Sequence, residues 1–401
     1  MPSRRHFLAG IGGVGSVALA GCLGETVETS PGTDGNSDWS MSRFDTENTG
    51  YNPDAKAPRK GVRERWTFSD GMASGSPAIV DGTVFLPTAD ALIALDSTSG
   101  KEKWRFEPGQ GPWPSSPVVH DGLVCFTMID EDSVVALDAK TGKKVWTLAD
   151  YGHVHAPLHL VAGEHVHSPH LYAGTENGMV LRLDLKTGEV LWQTDLFGDV
   201  SAFAYRMSSL YVGTQGGEVY GFIDHGDVRD PLGEAWRSKV GSAVEAMVPT
   251  SEGVIVHTFA DPLTCLQTGA HAGTTRWTVD EKAANSAPVY AEYTLFSAGY
   301  DRLSAIRDYD KEIKWQVRKR FDSTAPVAAG DTLYISSGTA VHAFALDGGS
   351  GVGSFRLDAK RWSHPTPAAA VEGLAVGDGA LFAACEGTKR DHTTLYCLEP
   401  A

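Results

Sequence analysis

The feature that most limits what this chain can become is residues 134–148, VVALDAKTGKKVWTL, because near copies recur along the sequence. Apolar residues alternate up to Asp138, the period of a strand with one buried face. Residues 138–142 then predict a tight turn. The Asp138 side chain accepts hydrogen bonds across it, and Gly142 takes the positive φ that closes it. A second strand follows and carries Trp146, a large flat side chain that needs a surface to cover. Residues 92–104 and 181–192 repeat the pattern, ending in Trp104 and Trp192. One hairpin alone is marginal in water, so the repetition predicts an array whose units bury their faces on each other.

The repeat is counted on Trp66, Trp104, Trp146, Trp192, Trp236, Trp277 and Trp315, with Phe355 in the eighth place, at intervals of 38 to 46 residues. That length suits four short strands with their turns. Before each hairpin lies another pair of strands, opening on Ser76-Pro77, Ser116-Pro117, Ala156-Pro157, Ala287-Pro288 or Ala325-Pro326. Each unit therefore predicts a four-stranded antiparallel sheet, a propeller blade. The two ends of the array are complementary. Residues 63–68 form a fourth strand with no preceding three, and three strands after Phe355 lack a fourth. Pairing them completes the last blade and leaves no free sheet edge. The expected fold is an all-β, eight-bladed β-propeller of four-stranded antiparallel blades, the last closed by the N-terminal strand.

The A-L-D-x-x-T-G-x-x-x-W signature at residues 136–146 and a start at Trp39, Arg43, Asp45, Thr49, Gly50 and Tyr51 resemble the propellers built from pyrroloquinoline-quinone-type repeats. The resemblance spans residues 39–401. It is sharp in blades one to three and eroded where residues 266–269 and 307–310 replace the clean turn. It implies that the seven Trp residues dock between neighbouring blades. They are expected to be structural.

The chain is expected to divide into a signal at 1–22, a flexible tether at 23–38 and the propeller at 39–401. Arg4 and Arg5 precede an apolar run without acids, which reads as a twin-arginine export signal. The run is too short to span a bilayer comfortably. It ends in Leu19-Ala20-Gly21-Cys22, which looks like a lipobox with Cys22 as the lipidated residue. The next stretch, rich in Gly, Ser, Thr and acids, buries nothing. Two acyl chains anchor stably where one does not, so a diacylglycerol-type anchor on the outer face of the cell membrane is expected. The net charge of −16 opposes nucleic-acid binding. It also suits the solubility strategy of salt-loving organisms, and the chain resembles an exported lipoprotein of a halophilic archaeon.

No reaction is written plainly in the sequence. Hydrolase, Walker and calcium-loop motifs are missing, as is the adjacent Cys-Cys pair of quinone-dependent dehydrogenases. Six of the 14 histidines fall between His153 and His170. His153 and His155, one strand period apart, place two rings on one face and so form either a divalent-metal site or a pair of solvated loop residues. Cys385 and Cys397 lie on adjacent strands and form either a disulfide or two buried thiols. The connections between blades carry large side chains that turns do not require: Trp113, Tyr151, Phe197, Arg320, and the run Arg361, Trp362 and His364. Aromatic residues with Arg make interface hot spots.

The expectation is a non-enzymatic, monomeric scaffold, tethered outside the cell, that binds a protein partner on one loop face. By resemblance its functional relative is the propeller lipoprotein of the bacterial outer-membrane β-barrel assembly machinery. The alternatives are a quinone-dependent dehydrogenase-like propeller and a small-ligand or metal binder.

Overall fold

The founding hairpin forms as its residues require. Asp138 Oδ1 accepts hydrogen bonds from the Thr141 backbone N–H (2.8 Å) and hydroxyl (2.6 Å). Gly142 closes the turn at φ +69°. Ser133–Asp138 then pairs with Lys144–Leu148, and a register shift just before Trp146 sets that ring opposite Ala136. The same shift precedes every repeat tryptophan, opposite Ala94, Arg182, Gly221, Cys265, Ala305 and Cys397. It is the bulge that turns each indole toward the next blade.

The computed structural model describes residues 38–401, except 109–114, 129–132, 155, 164–165, 167, 228, 260, 283–285, 300, 322–323, 353–354, 357–358, 367–368 and 388–393. Eight four-stranded antiparallel blades stand in a ring. Their innermost strands, in order, are Ala78–Val80, Val118–His120, His159–Val161, Val200–Arg206, Val244–Pro249, Val289–Ala291, Val327–Ala329 and Ala369–Gly377. The first blade runs outward through Thr83–Pro87 and Leu92–Asp96 to Glu102–Phe106. The eighth closes as the sequence predicts. Arg63–Phe68 is its outer strand, antiparallel to Leu395–Glu399, with Thr67 opposite Tyr396. Middle strands are buried on both faces because each blade packs on two neighbours. Cys125, Val134 and Ala136 of blade two share one core with Leu160, Leu171, Leu181 and Leu183 of blade three.

Trp66, Trp104, Trp146 and Trp315 dock on the third-to-fourth strand turn of the blade after their own. Trp66 Nε1 donates to Ser97 O (2.9 Å), Trp104 to Ala139 O (2.9 Å), Trp146 to Leu185 O (3.0 Å) and Trp315 to Leu346 O (3.0 Å). The rings lie on Gly100, Gly142, Gly188 and Gly348, where an added Cβ would come within 2.6 Å. Where the turn is eroded the contact changes. Lys311, at φ +64°, takes the glycine's place and holds its ammonium 4.6 Å from the Trp277 ring centroid. Between blades three and four, Arg182 adds a charged tie. It is fully buried, paired with Asp224 (3.2 Å), and bonded to Tyr172 Oη and Asp227 O.

The eighth docking residue is Trp362, not Phe355. A two-stranded hairpin, Gly351–Val352 with Phe355–Arg356, is inserted in blade seven ahead of its outer strand Lys360–Pro365. The insertion displaces the count by one turn. Trp362 sits opposite Ala343 behind the usual register shift and donates to Pro58 O (2.9 Å). Pro58 stands where other blades offer a turn carbonyl, because blade eight takes its outer strand from the N-terminal side.

The sequence did not announce what lies between Trp39 and Asn52. This segment runs around the inside of the ring as a belt, bonded to one innermost strand after another. Trp39 bridges Ile79 of blade one, Ser40 O accepts from Val119 N, and Thr46 O accepts from Tyr205 N. Thr49 O accepts from Tyr290 N, and Gly50 O from Ala328 N. Tyr51–Asn52 finally pairs in parallel with Val327–Ala329.

Candidate functional site

Antiparallel blades give the ring two chemically different faces. First-to-second and third-to-fourth strand turns share one, here the turn face. Second-to-third connections and the links between blades share the other, the mouth face. The belt bonds the turn-face ends of the innermost strands, so it closes the ring interior from that side.

Most polar side chains of the belt are engaged, while the buried Trp39 Nε1 and Arg43 Nε have no hydrogen-bond partner. Arg43 donates through Nη1 to Pro326 O (2.8 Å) and through Nη2 to Pro288 O (2.5 Å), joining blades six and seven. Gly50, at φ +63°, packs against this guanidinium, where a Cβ would come within 2.5 Å. Asp45 accepts from Thr49 N (2.9 Å) and Thr49 Oγ1 (2.5 Å). Asn48 Nδ2 reaches Phe203 O and Met247 O, joining blades four and five. Glu47 pairs with Arg206 at 2.9 Å. Burial pushes the Asp45 carboxyl up to about 7 against the pull of Thr49, and pushes Arg43 down to about 10. His159, bonded to the Thr46 backbone, is lowered by burial to about 4.

The mouth face is built differently. Phe197, 73% exposed, lies under Arg237, whose guanidinium carbon is 5.6 Å from its ring centroid and 5.2 Å from that of Tyr220. Glu218, held by Thr214 Oγ1 (3.0 Å), pairs with Lys239 (3.1 Å) and Arg237 (3.6 Å) beneath them. Phe259 is exposed on the neighbouring blade. Arg320 is exposed, and Lys319 Nζ stands 2.6 Å from His342 Nε2.

Among the described residues, those named from sequence do not assemble into one site. Tyr151 and Arg320 are on the mouth face, Tyr151 half-buried on the core shared by blades two and three. Arg361, Trp362 and His364 lie on a strand, not in a connection, because the inserted hairpin shifted the count. Arg361 grips Asp331 with both nitrogens at the turn face (2.6 and 2.8 Å). Trp362 is buried, and His364 sits between Glu64 (3.1 Å) and the Tyr396 ring. Trp113, His155, Arg4, Arg5 and Cys22 lie outside the described residues.

Of the histidine run, His155, His165 and His167 lie outside the described residues, and the other three lie apart. His153 is near Glu176 (3.6 Å), His159 faces the belt, and His170 packs edge-on against Tyr172. Among the described residues no group of three potential metal ligands meets. Cys385 and Cys397 are buried free thiols, both pushed up to about 12 by burial, and Cys397 stands opposite Phe382. Sequence reasoning missed Arg237 and Phe259. Their only signal was a large side chain beside a connection.

The family described as outer membrane protein assembly factor BamB matches residues 33–220 and 230–382. The chain belongs to that family. Among solved structures it is similar to BamB from Moraxella catarrhalis, with a TM-score of 0.59 and 15% identity over 84% of this chain and 98% of that one. It is also similar to the quinohemoprotein alcohol dehydrogenase ADHIIG from Pseudomonas putida HK5, with a TM-score of 0.67 and 14% identity over 90% and 80%. A lanthanide-dependent methanol dehydrogenase of Methylacidiphilum fumariolicum is 31% identical over 35% of this chain and 26% of that one. The 1-butanol dehydrogenase (cytochrome c) of Thauera butanivorans is 29% identical over 27% and 18%. The aligned stretches span about a quarter or less of the methanol and 1-butanol dehydrogenases' own length.

In this chain the belt side of the interior does not fit a carboxylate-bearing quinone. Both terminal nitrogens of Arg43 are engaged by carbonyls, and Asp45 is engaged by Thr49. Binding such a group there would require the belt to leave.

Proposed function

We propose that this BamB-family protein is a non-enzymatic scaffold, tethered outside the cell through lipidated Cys22, that holds a protein partner on its mouth face. The belt carries the reading. It closes the turn-face side of the ring interior with the chain's own backbone and engages Arg43 and Asp45 in structure, and on the opposite face exposed groups stand on the connections. Phe197 under Arg237, with Phe259 on the next blade and Arg320 further round, offers the aromatic and guanidinium chemistry of protein interfaces.

The test is photo-crosslinking in native membranes. A probe at Phe197 should yield one defined protein adduct, lost in the Arg237→Ala variant. A probe at Val145 on the outer strand of blade two should yield none. A second reading, an alcohol-oxidising quinoprotein, is favoured by the stretches shared with dehydrogenases. It would prevail if the purified chain retained the quinone at about one per chain with calcium or a lanthanide and reduced a dye with a primary alcohol, while Phe197 gave no adduct.

A further inference from the structure

The turn face has its own chemistry, and it is not that of the mouth. In blades one, two and eight the first-to-second strand turn is Asp81-Gly82, Asp121-Gly122 or Asp378-Gly379, both residues at positive φ. Blades four and six make the same turn from Met207-Ser208 (φ +46° and +60°) and Glu292-Tyr293 (φ +49° and +56°). A tyrosine in the glycine position of such a turn is strained. Here the strain puts large side chains into solvent: Met207 is 82% exposed and Tyr293 69%, with Tyr309 beside it on blade six at 66%.

On blades seven and eight the same face carries a basic segment, whose Arg63 pairs with Glu399 (2.6 Å). Residues 56–63 hold Lys56, Arg59, Lys60 and Arg63 and no acid, in a chain of net charge −16. All four are exposed. Arg59 and Arg361 both pair with Asp331, and with Lys60 they line an open cleft of about 290 Å³. The turn carboxylates of Asp96, Asp138 and Asp184 in blades one to three accept from their own turns, as Asp347 does in blade seven.

The belt also begins on this face, where Asp38 Oδ1 accepts from Asp81 N. Between Cys22 and Asp38 lie residues 23–37, which even fully extended reach about 50 Å. The tether therefore leaves from the turn face.

We infer that the turn face of blades four to eight lies against an anionic lipid surface, with Lys56, Arg59, Lys60 and Arg63 on phosphate headgroups and Met207, Tyr293 and Tyr309 in the interfacial layer. Tyrosine is at home at that depth, and juxtamembrane basic clusters bind anionic leaflets. The inference rests on the membrane-tethered reading above and adds an orientation: turns toward lipid, mouth away from it.

The experiment uses the lipidated full chain on vesicles. The four described cysteines are buried, so a dye attached at Tyr293→Cys or Phe259→Cys reports one site. With acyl-brominated lipid and about one-third anionic headgroups, the Tyr293 dye should be quenched several-fold more than the Phe259 dye. Lys56→Gln, Arg59→Gln and Lys60→Gln together should abolish most of that difference while flotation with the vesicles persists. Failure to float overturns the tether reading. Flotation with equal quenching at both sites, or stronger quenching at Phe259, overturns the orientation alone. The same excess quenching at Tyr293 on neutral vesicles overturns the role of the cations. Shielding of Tyr293 by an added membrane protein, and not by lipid, assigns the face to a protein instead.

Discussion

At Gly142 two demands meet. The backbone needs φ +69°, and a Cβ would lie 2.6 Å from the Trp104 ring, whereas at Gly122 the φ is +74° with open space around it. Gly122→Ala should cost about 1–2 kcal/mol, the strain of a left-handed residue. Gly142→Ala should cost roughly twice that, because the indole must also move. Urea unfolding of the two variants checks the difference. Asp45 supplies a pH test. Its carboxyl is raised to about 7 in the folded chain, so the native state binds more protons than the unfolded chain between about pH 4 and 7. Its contribution is most favourable below that window and falls as pH rises through it. Asp45→Asn should flatten this fall when melting temperature is followed from pH 4 to 8. The glycine, its tryptophan and the turn aspartate were legible because each is one residue type meeting one local need. Trp362 was not. It lies 47 residues after Trp315, and nothing in residues 351–356 marks a hairpin that pushes the repeat out of phase.

Among the elements, the belt has no isolated counterpart. It has no apolar period, and its backbone groups are satisfied by strands more than a hundred residues away, such as Tyr205, Tyr290 and Ala328. Periodicity reads local pattern, so it was silent here, and only the resemblance at Trp39, Arg43, Asp45, Thr49 and Gly50 marked the segment. A belt joined to so many strands should open as one unit. Arg43→Met removes the donors to the Pro288 and Pro326 carbonyls and should cost about 2–4 kcal/mol. Hydrogen exchange should show the amides of Val119, Tyr205, Tyr290 and Ala328 losing protection together. Independent loss, strand by strand, would mean that the belt is a set of separate contacts.

For the whole molecule, closure decides cooperativity. Removing residues 394–401 takes away Leu395–Glu399, leaving both Arg63–Phe68 and Ala380–Gly387 as bare edges. Thermal melting followed by circular dichroism should become broad and shift downward, and a peptide of residues 394–401 should restore part of it. An unchanged melt would show that seven blades hold the circle without the eighth. The closing joint also sets an order of events. Arg63–Phe68 leaves the ribosome more than three hundred residues before its mate, so this outer strand waits unpaired until Leu395–Glu399 is made, and the ring seals only then. A secretion route that threads nascent chain would divide those two halves across a bilayer at the moment they need each other. One that ships finished articles keeps them in the same compartment.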